Sequence, residues 1–176
     1  MPRNIEIKAR IDSLEQLLPR ITSIADSGPT EIAQDDTFFN CANGRLKLRA
    51  FSETSGELIF YQRPDQIRPK ESFYVISPTA SPDTLREALS LAYGQGGRVR
   101  KHRTLFMVGR TRIHLDRVEG LGDFLELEVV LSESEPAEAG IRIAHDLLAK
   151  LGVSRGQLIE GAYIDLLRTA KTGSGR

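Results

Sequence analysis

The stretch Asn4-Ile5-Glu6-Ile7-Lys8-Ala9-Arg10-Ile11 alternates polar and apolar residues without interruption. A period of two residues is typical of a β-strand, whose side chains point to opposite faces in turn. One face of this strand is apolar, and the other carries an amide, a carboxylate, an ammonium and a guanidinium group. Asp12-Ser13 then offers a helix cap, and leucines and isoleucines recur at helical spacing up to Ile24. The sequence therefore predicts a two-faced strand followed by an amphipathic helix, whose middle is disturbed by Pro19.

Similar alternation returns along the rest of the chain and predicts seven or eight strands with about four helices. Turn signals such as Asn43-Gly44 and Gly120-Leu121-Gly122 separate the strands. Because strands and helices come in runs, they favour an α+β fold with a mostly antiparallel sheet. The length fits one domain over residues 1–171, followed by a flexible tail over residues 172–176. Further strands are predicted over residues 34–40, 45–49, 58–63, 72–76, 99–108, 110–116 and 124–131, and further helices over 81–92, 137–151 and 161–170.

The composition excludes several classes of protein. The chain of 176 residues has 24 basic and 24 acidic side chains, so its formal net charge is zero. That balance argues against nucleic acid held by bulk positive charge and against a polybasic membrane binder. Aromatic residues, at 6%, are too few for base stacking on an RNA-binding sheet, and the single cysteine, Cys41, excludes an internal disulfide and a cysteine zinc cluster. No secretory signal and no apolar run of about 18 residues is visible, which predicts a cytoplasmic protein.

The charges are segregated along the chain, although their sum is zero. Residues 98–117 hold seven basic residues and one acid, whereas residues 118–139 hold seven acids and no base. A strand face that meets water tends to mix the two signs, because like charges on neighbouring strands repel each other. Strands sorted by sign therefore favour a barrel with its polar side turned inward, and a sheet with one solvated charged face is the alternative. The cationic faces carry Arg45, Lys47, Arg49, Lys101, Arg103, Arg110 and Arg112, and the acidic face carries Glu126 and Glu128.

Cationic strands beside a carboxylate strand are typical of a site for a polyanion and its metal ion. Arginine donates two parallel hydrogen bonds to phosphate oxygens, so several such groups suit a triphosphate. Mg²⁺ and Mn²⁺ prefer oxygen ligands and bind through a few carboxylates together with phosphates. Glu126-x-Glu128 puts both carboxylates on one face of a strand, where they can hold one or two such ions. For this pair taken alone, an ordinary surface strand is the alternative.

An ordered set of short motifs runs along nearly the whole chain and begins with Asn4-x-Glu6-x-Lys8. The motifs that follow are Asp36-Thr37-Phe38-Phe39, residues 44–49, Lys101-x-Arg103, residues 113–116, residues 122–128 and residues 162–167. This set resembles the CYTH superfamily, the triphosphate tunnel metalloenzymes, whose opening signature is Glu-x-Glu-x-Lys. The first residues are most similar to the class IV adenylate cyclase-like branch of that superfamily.

The resemblance implies an eight-stranded antiparallel β-barrel, with a polar, charged interior that forms a triphosphate tunnel and with helices packed outside. It implies Mg²⁺ or Mn²⁺ as the cofactor. Glu6, Glu126 and Glu128 are the implied metal ligands, and Asp116 lies at or near the ion. Asn4 stands where the family has its first signature glutamate, which removes one negative charge and leaves open whether one or two ions bind.

The resemblance also implies which side chains act on the substrate. Glu6 and Lys8 are the predicted catalytic residues, Lys8 as a base activated by neighbouring cations. The cations predicted to hold phosphates are Lys8, Lys47, Arg49, Lys101 and Arg103, with Arg45, Arg63 and Arg112 as further candidates.

The predicted function is that of a class IV adenylate cyclase, which converts ATP to cyclic AMP and pyrophosphate. One alternative is a triphosphatase that hydrolyses inorganic, thiamine or nucleoside triphosphate, although Phe38 stands where some triphosphatase relatives carry a tyrosine. The other alternative is a non-catalytic phosphate or nucleotide binder, which the replacement at Asn4 suggests. The expected partner is a small triphosphate compound, with no nucleic acid and no membrane, and the expected state is a monomer or homodimer. The sequence leaves open the exact substrate and the choice between cyclisation and hydrolysis.

Overall fold

Four helices and nine strands make up the part of the chain that the structure, a computed structural model, describes: residues 2–62 and 67–173. The helices are α1 (Leu14–Ile24), α2 (Pro82–Tyr93), α3 (Ala137–Leu151) and α4 (Tyr163–Gly173). The strands are β1 (Arg3–Arg10), β2 (Ser27–Phe39), β3 (Arg45–Ser52), β4 (Ser55–Gln62), β5 (Lys70–Thr79), β6 (Gln95–Val108), β7 (Thr111–Val118), β8 (Gly122–Leu131) and the short β9 (Leu158–Ile159).

Eight of these strands form a closed antiparallel ring in the order β1-β5-β4-β3-β2-β6-β7-β8. Pairing of β1 with both β5 and β8 closes the ring, and β9 adds two residues beside β1. Closure satisfies the backbone groups that an open sheet leaves unpaired at its edges. The predicted α+β fold with eight antiparallel strands is therefore confirmed.

Strand β1 shows which face of the ring is polar. Its apolar residues, Ile5 and Ile7 among them, point outward and are buried beneath α1 and α3. Its polar residues Asn4, Glu6 and Lys8 point inward and are also buried, at 2%, 8% and 4% exposure. The ring therefore has its polar side turned inward, and the alternative of a solvated charged face is wrong. Helices supply the apolar cover outside, as the sequence predicted.

Helix α4 packs against one end of the ring. Its buried residues Tyr163 and Ile164 join an apolar cluster inside the ring that includes Phe38 and Phe124. Gly97 on β6 allows this approach, because a Cβ there would lie 2.4 Å from Ile164 Cδ1, and its φ of +140° disfavours any other residue. Strand β6 therefore begins at Gln95, directly after α2 and ahead of the predicted start at residue 99, and its Gly97 makes room for α4.

Some element boundaries differ from the prediction because packing outweighs local signals. Helix α1 continues through Pro19, with Leu17 and Ile21 buried on either side of it. Strand β2 begins at Ser27, ahead of the predicted start at residue 34. Its pairing with β6 shifts in register between Ser27 and Thr30. Helix α4 extends to Gly173, within the predicted tail, of which residues 174–176 lie outside the described part. No helix among the described residues is long and apolar enough to span a membrane.

Candidate active site

The ring surrounds a cavity of about 130 Å³ that opens to solvent, and all eight strands contribute side chains to its wall. Helix α4 closes part of the wall with Tyr163. Because side chains alternate along each strand, only every second residue reaches this space. The lining residues that sequence analysis had singled out are Glu6, Lys8, Lys47, Arg49, Lys101, Arg103, Arg112, Glu126 and Glu128, together with Asn4 and Phe38.

Strand pairing explains why the acidic residues meet. Glu6 lies directly opposite Glu128, and Lys8 lies directly opposite Glu126, in the pairing of β1 with β8. On the other side of β8, Glu128 faces Arg112, and Arg112 Nε donates a hydrogen bond to Glu128 Oε2 at 2.8 Å. Glu6, near the start of the chain, thus shares one patch of the wall with Glu126 and Glu128, which lie far from it in sequence.

A histidine completes this acidic patch. His114 Nδ1 lies 3.3 Å from Glu126 Oε1 and 4.0 Å from Glu128 Oε1. Burial by itself would raise the pKa of Glu126, but Lys8, His114 and Arg103 hold that pKa well below its usual value. Both carboxylates are therefore ionised at neutral pH and offer oxygens beside an imidazole nitrogen.

These groups fit a divalent ion. An ion with bonds of about 2.1 Å has adjacent ligand atoms about 3 Å apart and opposite ones about 4.2 Å apart. The ligand atoms of His114, Glu126 and Glu128 all lie within 4.8 Å of one another, so small side-chain movements would bring them to that spacing. Asn4 Oδ1 is buried in the same cavity wall without a hydrogen-bond donor, which is costly unless a ligand or ion satisfies it. The donor set is mixed, with carboxylate and amide oxygens and one imidazole nitrogen.

A second group of charges surrounds Asp36 on the opposite wall. Arg49 donates two hydrogen bonds of 2.8 Å to this carboxylate, Lys47 lies 3.2 Å from it, and Lys101 lies 3.3 Å from it. Burial, together with the neighbouring Arg49 and Arg103, lowers the pKa of Lys101 to about 7, against the pull of Asp36. Burial and Arg49 likewise lower the pKa of Lys47 to about 8. Three cations with one carboxylate leave excess positive charge for an anion entering the cavity.

Asp116 lies behind this surface rather than on it. Arg103 is directly opposite Asp116 in the β6–β7 pairing and donates two hydrogen bonds to its carboxylate, at 2.7 and 2.8 Å. The Tyr163 hydroxyl donates a third, at 2.7 Å. Asp116 is fully buried, and it is absent from the described cavity lining. Asp116 therefore lies next to the acidic patch, joined to Glu126 through Arg103, and it holds Arg103 in position.

Lys8 lies beside a carboxylate and an aromatic ring. Its ammonium group is 3.5 Å from Glu126 Oε2 and 3.8 Å from the centre of the Tyr163 ring. The predicted role of Lys8 as a base relies on neighbouring cations, and the ammonium group of Lys101 lies 5.5 Å from the centre of the same ring. Burial lowers the pKa of Lys101 and of Lys47 toward neutrality.

Arg45, a further predicted cation, is not among the described residues that line the cavity. Arg45 shares the inner face of β3 but lies at the end covered by α4, where it donates a hydrogen bond of 2.7 Å to Asp165. Arg63 lies outside the described residues.

Sequence reasoning missed three residues of this site. Asp36 and Tyr163 lie within the quoted motifs but were given no role, and His114 was placed on the polar face of its strand without one. The two-residue period of a strand would have pointed to His114, because this residue shares one face of β7 with Arg112. No local pattern distinguishes Asp36, which is buried, from the half-buried Asp35 before it, because only the final orientation of the strand separates them.

Comparison with known proteins agrees with this architecture. A family model for the CYTH domain matches residues 2–163. The adenylate cyclase CyaB of Aeromonas hydrophila is 24% identical over 176 residues, which cover 96% of this chain and 90% of that protein. Among solved structures, the PH1012 protein from Pyrococcus horikoshii OT3 superposes with a TM-score of 0.83 at 24% identity, covering 93% of this chain and 98% of that one. HpAC1 from Hippeastrum, described as a putative adenylyl cyclase with a dominant triphosphatase activity, superposes with a TM-score of 0.62 at 15% identity, covering 96% of each chain.

Proposed function

The chain belongs to the CYTH domain family, and from this premise we propose that it is an enzyme acting on the triphosphate group of a nucleotide or a similar compound. One observation carries the proposal: a single cavity is lined by ionised carboxylates on one side, with the His114 imidazole next to them, and by an excess of buried cations on the other. Burying so many charges is costly unless ligands compensate them. A triphosphate with its divalent cation matches both halves of the cavity.

In this proposal the cations bind and orient the triphosphate. Lys47, Arg49 and Lys101 supply positive charge around Asp36, and Arg103 is held by Asp116 with its planar group fixed. Fixed guanidinium groups bind phosphate oxygens with less loss of side-chain entropy than mobile ones. We assign Lys8 and Arg112 to the same role, because both line the cavity.

The acidic patch would hold the cation. Glu6, Glu126, Glu128 and His114 would bind Mg²⁺ or Mn²⁺, with the Asn4 carbonyl as a neutral oxygen donor. A bound divalent ion supplies Lewis-acid polarisation of phosphate oxygens. Asn4 retains an oxygen where the family signature has a carboxylate, so the patch carries one negative charge fewer. Asp116 is proposed as a positioning residue for Arg103.

The leading reaction is cyclisation of ATP to cyclic AMP and pyrophosphate, by analogy with the named adenylate cyclase relative. The second candidate is hydrolysis of a triphosphate, which the likeness to HpAC1 favours. In both reactions the cavity positions the polyanion and neutralises its charge, which is the main requirement of phosphoryl and nucleotidyl transfer. The reactions differ in the nucleophile, which is a ribose hydroxyl in one and water in the other.

Product analysis separates the candidates. The protein is incubated with ATP, thiamine triphosphate or tripolyphosphate, each with Mg²⁺ or Mn²⁺, and the products are separated by ion-exchange chromatography. Cyclic AMP and pyrophosphate identify the cyclase, whereas a diphosphate and orthophosphate identify the triphosphatase. Binding without turnover of any of the three compounds would instead identify a phosphate binder and reject the enzyme.

A paired variant tests the acidic patch. Glu126→Gln with Glu128→Gln should abolish metal-dependent turnover, because the carboxylates are lost while the shapes of the side chains are kept. Glu133→Gln with Glu138→Gln, on exposed positions, is the matched control. Thermal unfolding of each variant shows whether loss of activity reflects loss of the fold, and full activity in a folded Glu126/Glu128 variant rejects the assignment.

A further inference from the structure

Tyr163 enters the cavity wall from helix α4, whereas most of the other described lining residues come from strands. Its position is fixed where the helix begins. The Ala162 N–H donates a hydrogen bond of 3.0 Å to Asp165 Oδ2, and Arg45 donates another to the same oxygen, at 2.7 Å. The tyrosine itself is only 5% exposed. Tyr163 is therefore a firmly held part of the wall.

The hydroxyl of Tyr163 reaches Arg103 through Asp116. It donates a hydrogen bond of 2.7 Å to Asp116 Oδ2, which also accepts a hydrogen bond of 2.8 Å from Arg103 Nη2. The other carboxylate oxygen, Asp116 Oδ1, accepts a hydrogen bond of 2.7 Å from Arg103 Nε. Because the tyrosine restricts the rotation of the carboxylate, it keeps both oxygens in the orientation that the planar guanidinium group requires.

The phenol ring of Tyr163 faces two ammonium groups. Lys8 Nζ lies 3.8 Å from the ring centre, and Lys101 Nζ lies 5.5 Å from it. Both lysines are buried, and the attraction between a cation and an aromatic face is stronger where water is excluded. These lysines lie on β1 and β6, which are not neighbouring strands. One phenol ring thus contacts cations from two separate parts of the wall.

An aromatic ring can hold a cation in place without cancelling its charge. Lys8 already lies 3.5 Å from Glu126, and Lys101 lies 3.3 Å from Asp36. A second carboxylate beside either lysine would leave less positive charge for an incoming phosphate. The phenol ring carries no net charge, yet its electron-rich face restricts where an ammonium group can lie. The ring is therefore suited to orienting cations that must also bind an anion.

We propose that Tyr163 is a positioning residue for the cations that bind the triphosphate. Its hydroxyl orients Arg103 through Asp116. Its phenol ring orients the ammonium groups of Lys8 and Lys101. This inference rests on the proposed function, because these orientations matter only if the cavity binds a triphosphate. Cations that are already oriented lose less side-chain entropy when phosphate oxygens arrive, so the tyrosine strengthens binding.

Binding of tripolyphosphate in EDTA, measured by calorimetry, tests the hydroxyl without turnover. Tyr163→Phe removes the hydroxyl and keeps the ring, and it should weaken binding about fivefold. In the Asp116→Asn background Arg103 has already lost its charged partner, so the same substitution should weaken binding less than about twofold. Equal effects of Tyr163→Phe in the two backgrounds would show that the hydroxyl does not act through Asp116, and they overturn this part of the proposal.

Tyr163→Leu removes the phenol ring as well and tests its effect on Lys8. This variant should bind tripolyphosphate about fivefold more weakly than Tyr163→Phe does. In the Lys8→Met background the difference between the two variants should fall to about twofold, because Lys101 is farther from the ring. A difference that is as large in Lys8→Met as in the wild type overturns the role of the ring. Tyr163→Phe keeps the test decisive if Tyr163→Leu does not fold.

Ile164→Val is the matched control for the packing of α4. Ile164 is the next residue on the helix, is 3% exposed and is not among the described lining residues. The substitution should lower the unfolding temperature slightly and leave the affinity for tripolyphosphate within about twofold. A loss of affinity as large as that in Tyr163→Phe would mean that helix packing, and not the tyrosine, sets the affinity.

Two further outcomes separate this inference from the proposed function. If the wild type binds tripolyphosphate and both Tyr163 variants bind it equally well, the positioning role is refuted and the proposed function stands. If the wild type binds neither tripolyphosphate nor ATP, with or without Mg²⁺, the proposed function fails and the positioning role fails with it.

Discussion

One nitrogen of His114 faces the carboxylate of Glu126 at 3.3 Å, and it lies within reach of Glu128 as well. The three residues come from adjacent strands, since His114 is directly opposite Glu126 in the β7–β8 pairing. A histidine in an otherwise oxygen-rich patch changes which ions the patch prefers, because Mg²⁺ binds oxygen ligands and imidazole suits transition metals better.

His114→Gln should therefore lower the affinity for Mn²⁺ by about tenfold and leave the weaker Mg²⁺ affinity nearly unchanged. Calorimetric titration of the folded apoprotein measures both constants. Electron spin-echo spectroscopy of bound Mn²⁺ reports a directly coordinated ¹⁴N nucleus, and that signal should vanish in the variant. His102→Gln is the control, since His102 lies on β6 with its side chain 55% exposed. A wild-type spectrum without nitrogen coupling would refute the assignment.

Asp116→Asn tests whether this aspartate positions Arg103 or binds the ion. The substitution leaves Arg103 buried with a neutral partner, and breaking a buried ion pair costs about 3 kcal/mol. Urea unfolding should show that loss, and tripolyphosphate binding in EDTA should weaken because Arg103 is no longer fixed. The Mn²⁺ affinity of the folded variant should stay close to that of the wild type. A fall in Mn²⁺ affinity as large as that caused by Glu128→Gln would instead make Asp116 a metal ligand.

Protein stability should rise between pH 7 and pH 9. The folded-state pKa of Lys101 is about 7, below its ordinary value of 10.5, so the unfolded chain binds more protons than the folded chain in this range. Stability rises with pH wherever the unfolded state binds more protons, and one such lysine contributes about 2 kcal/mol over this interval. Urea unfolding at each pH measures the slope. Lys101→Met should reduce the slope to the smaller contribution of Lys47, whereas Lys150→Met, on an exposed face of α3, should leave it unchanged.

Triphosphate binding should take up protons at pH 8. Lys101 and Lys47, with pKa values of about 7 and about 8, are partly deprotonated there, and an incoming polyanion favours their charged forms. Calorimetry of tripolyphosphate binding in two buffers of different ionisation enthalpy measures the uptake directly. Affinity should fall as the pH rises from 7 to 9. Identical heats in the two buffers would show that these lysines do not respond to the ligand.

Gly97→Ala should destabilise the junction between β6 and α4. The new Cβ would meet Ile164, and a φ of +140° is strained for any residue with a side chain, so a loss of about 2 kcal/mol is expected. Gly109→Ala provides the control, because Gly109 also has a positive φ but has no atom within 4 Å of the added Cβ. Its loss should be about 1 kcal/mol. Equal losses in thermal unfolding would mean that the contact with Ile164 carries no cost.

The alternation of β1 was enough to predict two distinct faces, and the sorting of charges by strand was enough to favour the polar face as the inner one. Glu6, Lys47, Arg49, Lys101 and Glu128 all reach the cavity for this reason. The alternation of side-chain direction is a property of each strand alone, and it does not depend on how the strands are arranged. The sequence could therefore predict which side chains point inward.

Which side chains meet on neighbouring strands depends on the strand register, and no local sequence pattern specifies that register. Asp116 was grouped with the metal ligands, yet pairing of β6 with β7 places it opposite Arg103. Lys8 was expected among cations, and the pairing of β1 with β8 adds a carboxylate by placing it opposite Glu126. Asp36 became the centre of the cationic group only because β2 lies between β3 and β6.

The sequence by itself determined that this chain forms two-faced strands whose charges are separated by sign. Closure of the ring decided which of those charges neutralise each other and which lysines lose protons near neutral pH. The physical reason is that the electrostatic environment of a buried group depends on distances of a few ångströms, set by contacts between residues far apart in the chain.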